Sequence, residues 1–307
     1  MRILVTGAGQ IGSTLAERSA AQGIEAVVLR RADRPVPGAA RTVVADAADP
    51  SAVEREVAGA DAVVHCVHTG YDPVTWRRAL PGPERTVMDA AARHGVPVVF
   101  PESVYAFGDA AQDLTEGAAP QPTTPLGQVR AELLAARRDH PARTVSVVAG
   151  DLIGRHATAA GSVPTATVLG PVASGRPALV LGDPDAPHSL TLLEDLADAL
   201  LFTARNVEAL APSGDAIVHA PSPPPITLRR LADLAASQAG ERAARVRALP
   251  FWPLALGGLA SPAVRSLHAQ RHLWTRPMIL RPGALTTRWG LEPTPWEDVD
   301  LLAGRVS

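Results

Sequence analysis

The sequence predicts an α/β fold: a doubly wound parallel sheet with a smaller mixed lobe on its C-terminal side. Three observations predict it. Short apolar runs alternate with helical patterns through the first half of the chain, and strands separated in this way build βαβ units. The first run passes directly into a glycine-rich turn that opens a helix. Beyond Asp151 the alternation gives way to prolines and short elements.

Taken in order, Arg2–Thr6 (RILVT) is a continuous apolar run of strand length. Glycines turn the chain, and the pattern from about Ile11 to Gln22 is helical, closed by Gly23. Glu25–Leu29 is the second strand and Arg41–Ala45 the third. Asp49-Pro50 starts a helix, because a capping carboxylate precedes a proline suited to the first helical position. Asp61–Val67 is the fourth strand, and a helix over about Glu84–His94 leads to the fifth, Val96–Phe100. Leu126–Arg138 is helical and Thr144–Val148 is the sixth strand. Later, a helix follows Ser189-Leu190-Thr191, Ile217–His219 is a strand, Thr227–Gln238 is a helix, and the end forms two short helical pieces. Residues 1–150 therefore read as the core domain and 151–307 as the smaller lobe. A stretch of about 189–220 returns to the core, and no linker composition marks the boundary.

Composition excludes whole classes of function. A net charge of -2 with 20% charged residues fits neither disorder nor a nucleic-acid footprint. No run approaches the roughly 20 apolar residues that span a bilayer. With Cys66 as the single cysteine, no internal disulfide forms. A soluble, cytoplasmic protein is expected, a monomer or homodimer with a small-molecule substrate. All 29 basic residues are arginine, so Schiff-base chemistry, a P-loop and a lysine general base are excluded. Tyrosine is nearly absent, with only Tyr71 and Tyr105.

The turn Gly7-Ala8-Gly9-Gln10-Ile11-Gly12 is a GxGxxG between a strand and a helix, the context in which this motif marks a Rossmann-type dinucleotide site. Glycines allow the tight turn and a close backbone approach to a pyrophosphate, whose charge rests on the helix N-terminus. Gly7, Gly9, Gln10, Ile11 and Gly12 are the expected cradle, with Val67, at the end of the fourth strand, as a further cofactor-binding residue. The second strand ends in Arg30-Arg31, where an acidic residue would meet the ribose hydroxyls of NAD. Two guanidiniums suit a 2′-phosphate, so NADPH is expected, with NADH weaker; the alternative is a solvated strand end. Asp46 either accepts from the adenine amino group or caps the next helix.

The order of these pieces resembles the extended short-chain dehydrogenase/reductases, the group of NAD-dependent sugar-nucleotide epimerases and dehydratases. The resemblance rests on VTGAGQIG, on Asp61–His65, on Ser103-Val104-Tyr105, on TEGAAPQPTTPLGQVRAELL, on Asp151–Gly154, on the late LLEDLADAL helix and on WGLEPTP. It implies a Tyr-x-x-x-Lys pair in a P-Y-G-x-S-K setting. Here that stretch is Pro125-Leu126-Gly127-Gln128-Val129-Arg130, so Leu126 replaces the tyrosine and Arg130 the lysine. In lacking the usual Ser-Tyr-Lys triad the chain resembles ketoreductases of actinomycete antibiotic pathways, of the simocyclinone type.

The residues expected to face a nicotinamide lie at the ends of the fourth, fifth and sixth strands. Ser103 either polarises a carbonyl or bonds local backbone. Glu102 is either an acid or the partner of a nearby arginine. His68 is either a proton donor or a bland histidine; its pairing with His65 is not a metal site, since positions three apart on a strand face opposite ways. Arg130 is expected on the ribose, and Cys66 in the core. Tyr105, Asp151 and His188 are candidate substrate residues, and the stretch Trp252–Trp274, with His268, Arg271 and His272, caps the cleft or packs the lobe. The expected function is NADPH-dependent reduction of a carbonyl on a bulky, aromatic polyketide-type metabolite. The proton would come from water or a neighbouring substrate hydroxyl. The alternatives are an epimerase or dehydratase that recycles its cofactor, and a non-catalytic NADP(H) sensor with a protein partner.

Overall fold

The computed structural model describes residues 1–241, 243–251 and 261–304. The first half builds β1 (Arg2–Thr6), α1 (Gln10–Ala21), β2 (Glu25–Arg30), β3 (Arg41–Val44), α2 (Pro50–Val57), β4 (Ala62–His65), α3 (Pro73–Ala79), α4 (Pro81–His94), β5 (Val98–Ser103), α5 (Pro125–Arg138) and β6 (Thr144–Ala149). Then come β7 (Asp151–Ile153), α6 (Gly170–Ala173), β8 (Ala178–Leu181), β9 (Pro187–His188), β10 (Leu190–Leu192), α7 (Leu193–Arg205), α8 (Val207–Leu210), β11 (Asp215–His219), β12 (Ile226–Thr227), α9 (Leu228–Gln238) and β13 (Val246–Leu249). Local chemistry fixes the boundaries. Asp49 caps α2 by accepting from the backbone N–H groups of Ser51 and Ala52, and Thr227 caps α9 in the same way through Arg230. The helix α4 stops at Gly95, whose φ of 67° is left-handed.

The chain divides into two compact units. The first comprises Met1–Glu102, Val129–Val148 and Leu196–Val218. It holds a seven-stranded sheet in the order β11-β6-β5-β4-β1-β2-β3, whose pairs from β5 to β3 run parallel. Strand direction of build-up reverses between β1 and β4, which makes their carboxyl ends the topological switch point. Helices cover both faces, because alternate strand residues point opposite ways. Leu4, Leu29, Val63, Val98 and Phe100 pack with Val53 and Val57 of α2 and Val87 and Met88 of α4. On the other face, α1 approaches Val5, and Arg18 pairs with Asp198 of α7.

The second unit comprises Ser103–Gln128, Ala149–Asp195 and His219–Ser307. Its strands form three small pairs: β7 with β10, β8 with β13, and β9 with β12. The division is therefore not a single cut near residue 150. The segment 103–128 belongs with the later residues, and 196–218 returns to the sheet. Two local differences matter below. The strand β5 extends through Ser103 rather than stopping at Phe100, and α3 is a helix that the proline-led sequence Pro73–Ala79 forms behind an Asp72 cap.

Candidate functional site

The switch point carries the glycine loop. Gly7 adopts φ +94°, a conformation L-residues avoid, and its amide donates to Leu29 O at 2.8 Å. A Cβ on Gly12 would lie 2.0 Å from Gly7 O, so only glycine lets α1 close on the loop. A Cβ on Gly9 would meet nothing within 4 Å. The helix α1 has no side-chain cap at Gly9 and no acidic residue in its first turn. An uncapped N-terminus whose glycine faces open space fits a pyrophosphate, and Gln10 and Ile11 begin the helix there. Val67 lies two residues beyond β4, which ends at His65 rather than running to Val67.

At the end of β2, Arg30 is partly exposed and Arg31 exposed, and neither forms an ion pair among the described residues. Asp46 accepts from the Ala48 amide at 2.9 Å, closing its own turn, while the cap of α2 is Asp49.

Beneath β4 and β5 lies a buried polar chain that the sequence pattern does not announce. Phe100 and Glu102 share a face of β5, two residues apart. Arg137, from α5, lies 4.0 Å over the Phe100 ring and donates to Glu102 at 2.8 Å, to Ser146 at 3.0 Å and, through two nitrogens, to Glu84 of α4 at 2.8 and 3.0 Å. Burial opposes these charges, but Arg137 and Glu84 offset it for each other: the guanidinium stays charged and the carboxyl is held below its usual range. The second Glu102 oxygen is 3.4 Å from Arg130 Nε. Glu102 is thus the partner of arginines and not an acid open to solvent, because β5 runs one turn of pleat further than expected and points it inward.

Arg130 itself is 8% exposed and lies 4.9 Å over the Trp76 ring of α3. One turn earlier, Leu126 is 3% exposed. Gly127, between them, is required by close approach: its Cβ would be 2.3 Å from Tyr105 O. His65 at the end of β4 shares a 2.8 Å hydrogen bond with Thr6, and burial lowers its pKa to about 4. Burial also pushes the Cys66 thiol up to about 12, so it is an inert core residue.

His68 is exposed at one edge while its ring packs against Tyr71 at 5.2 Å and Trp76 at 5.0 Å. Desolvation on that packed side and the Arg130 guanidinium lower its pKa, so the ring is neutral near pH 7 and has no imidazolium proton to donate. Among the described residues there is no cluster of His, Cys, Asp and Glu able to hold a metal.

In the second unit, Ser103 is the last residue of β5, Tyr105 follows two residues on, and Asp151 opens β7. Burial raises the Asp151 carboxyl to about 7. His188 is not presented to a substrate. It is fully buried, its ring nitrogens face Ala186 O at 3.2 Å and Leu273 O at 2.6 Å, and it stacks on Trp274. A strand pairing of β9 with β12 seals it inside, so it braces the unit. Of the basic, aromatic stretch, Trp252 lies outside the described residues. His268 faces Phe251, while Arg271 and His272 join Asp109, Thr124 and Arg276 around a cavity of about 280 Å³.

The sequence profile of the NAD dependent epimerase/dehydratase family matches residues 3–218. The chain belongs to that family. No curated protein matches it. Among solved structures it is similar to Pal from Bacillus thuringiensis, at 16% identity and a TM-score of 0.73, covering 99% of this chain and 98% of that one. It is similar to the Bordetella bronchiseptica enzyme WbmH, solved in complex with NAD+, at 19% identity and a TM-score of 0.72, covering 99% and 97%. It is also similar to DesIV, a dTDP-glucose 4,6-dehydratase from Streptomyces venezuelae solved with NAD, at 20% identity and a TM-score of 0.71, covering 100% and 96%. At these identities the likeness establishes the fold.

Proposed function

We propose that the chain is an NADPH-dependent ketoreductase acting on a carbonyl of a bulky, aromatic polyketide-type metabolite, an atypical member of its family. The observation that carries this reading is Leu126: a buried apolar side chain stands where the resemblance requires the tyrosine proton donor, in a chain that keeps the glycine loop of a dinucleotide cradle. A reduced nicotinamide bound on that loop supplies a hydride. The chain's own residues do the rest. The Gly7–Gly12 backbone holds the diphosphate, and Arg30 and Arg31 hold the 2′-phosphate. Leu126 has no proton to give. The alkoxide therefore takes its proton from water or from a hydroxyl beside the substrate carbonyl. Ser103, Tyr105 and Asp151 are the proposed substrate-side hydrogen-bonding groups, and Asp151 keeps its proton to about pH 7.

The test is to mix the protein with NADPH and a panel of polycyclic aromatic ketones and follow the absorbance of the reduced nicotinamide. Net oxidation with at least one hydroxy-ketone is expected. Tight NADPH binding with no oxidation by any ketone would sink the reading. A second reading, a sugar-nucleotide epimerase or dehydratase that recycles its cofactor, is favoured by the likeness to the dehydratase DesIV. It predicts conversion of a nucleotide sugar with no net consumption of reduced cofactor.

A further inference from the structure

Phe, Trp and Tyr make up only 4% of the chain, yet two of them gather with a histidine in one short stretch of the first unit. The ring centroids of His68 and Tyr71 are 5.2 Å apart, those of His68 and Trp76 5.0 Å, and those of Tyr71 and Trp76 5.6 Å, the spacing of interacting aromatic pairs. The base of this cluster is fixed. Trp76 of α3 is fully buried, its indole N–H donates to Thr69 O at 3.4 Å, and the Arg130 guanidinium lies over its ring. Asp72 holds the start of α3 by accepting from the Thr75 amide at 2.8 Å and the Thr75 hydroxyl at 2.7 Å. The outer side is not covered: His68 is exposed and Tyr71 half-buried. Two rings that meet water stand on one that does not.

Their place in the sheet brings a ligand to them. The strand β4 ends at His65, and a Cβ on Gly7 would lie 2.9 Å from Cys66 O and 3.0 Å from Val67 N. The backbone that leads into His68 therefore lies against the glycine loop, at the carboxyl ends of β1 and β4, where a doubly wound sheet opens its ligand crevice. Rings already held at fixed spacing accept a flat apolar surface with little ordering cost. The His68 ring is neutral near pH 7, so it brings no charge that such a surface would have to strip of water. We propose that His68 and Tyr71 are specificity-determining residues: with Trp76 as their buried backing, they form a wall on which the aromatic rings of the substrate stack. This inference rests on the reading of an aromatic substrate and gives neither residue a proton to transfer.

The experiment measures by calorimetry the binding of a hydroxyanthraquinone and of a saturated decalone, in the presence of NADP⁺ so that no hydride is transferred. Wild type is compared with His68→Leu, Tyr71→Leu and Tyr71→Phe. Both positions meet solvent, so the variants are expected to fold, as circular dichroism will show. Wild type should prefer the aromatic ligand to the saturated one. His68→Leu and Tyr71→Leu should each weaken the hydroxyanthraquinone about tenfold and leave the decalone and NADPH nearly unchanged. Tyr71→Phe keeps the ring face and should bind as wild type does. A folded Tyr71→Leu that binds the hydroxyanthraquinone as tightly as wild type overturns the proposal. So does an equal loss of NADPH affinity in the leucine variants, which would give the rings to the cofactor instead. If wild type and variants follow the expected pattern but no ketone oxidises NADPH, the ketoreductase reading falls and the wall stands. If ketones are reduced and the leucine variants bind them as wild type does, the wall alone falls.

Discussion

Arg30 and Arg31 place two guanidiniums at the end of β2 with no carboxylate partner among the described residues. A 2′-phosphate carries close to two negative charges and accepts paired hydrogen bonds from such a group. A charge-assisted bond of this kind contributes roughly 1.5 to 3 kcal/mol, and 1.4 kcal/mol is about tenfold in affinity. NADPH is therefore expected to bind at least about tenfold more tightly than NADH at low salt. Replacing both arginines with alanine should erase most of that gap and leave NADH affinity nearly unchanged; equal affinities in wild type would show that the arginines only solvate the strand end. Asp151 makes a second prediction. Its folded pKa of about 7 stands above the ordinary 3.8. Below about pH 3, well under the unfolded value, both folded and unfolded chains hold the proton, and the site costs nothing. As pH rises towards 7 the unfolded chain releases it while the folded one does not, so stability falls. A pKa that differs by one between the folded and unfolded chains corresponds to about 1.4 kcal/mol, and Asp151→Asn should gain roughly 2–4 kcal/mol relative to wild type between pH 4.5 and pH 8. Denaturant titrations at the two pH values check this, and parallel behaviour of the two proteins would refute it.

Among the elements, the junction of β1 and α1 separates fold from ligand. A Cβ on Gly12 meets the backbone oxygen of Gly7, which cannot swing aside, so Gly12→Ala should cost about 1–3 kcal/mol and abolish cofactor binding. A Cβ on Gly9 meets no protein atom, and its φ of -79° suits any residue. Gly9→Ala should therefore leave stability within about 0.5 kcal/mol of wild type while weakening the dinucleotide. Thermal melts with and without NADPH read both effects; a Gly9→Ala protein that binds as tightly as wild type would mean that no ligand fills the space. This junction was legible in the sequence because its glycines, strand and helix are contiguous. The buried charge line was not, because its members come from α4, β5 and α5. One clue was present: Leu126, Arg130, Leu133 and Arg137 recur at helical spacing, which sets two arginines on the apolar stripe of α5. A strand ended at Phe100 hid the partner, since only the longer β5 turns Glu102 to that face.

For the molecule as a whole, alternating strands and helices made the sheet legible, and the order of its motifs made the family legible. The second unit was harder to read. Its strands are two to four residues long, too short for any periodicity, and His188 looked like a substrate contact because a lone histidine in a proline-rich loop carries no mark of being sealed inside. The path of the chain has a consequence of its own. It passes from one unit to the other after residues 102, 128, 148, 195 and 218. During synthesis the sheet cannot be completed when its first six strands have left the ribosome, because its edge strand β11 is made only after the whole of 149–195 has emerged. The nascent sheet therefore waits with an open edge while part of its companion is already available to fold. Neither unit is one continuous stretch of chain, so no single break can release either of them whole.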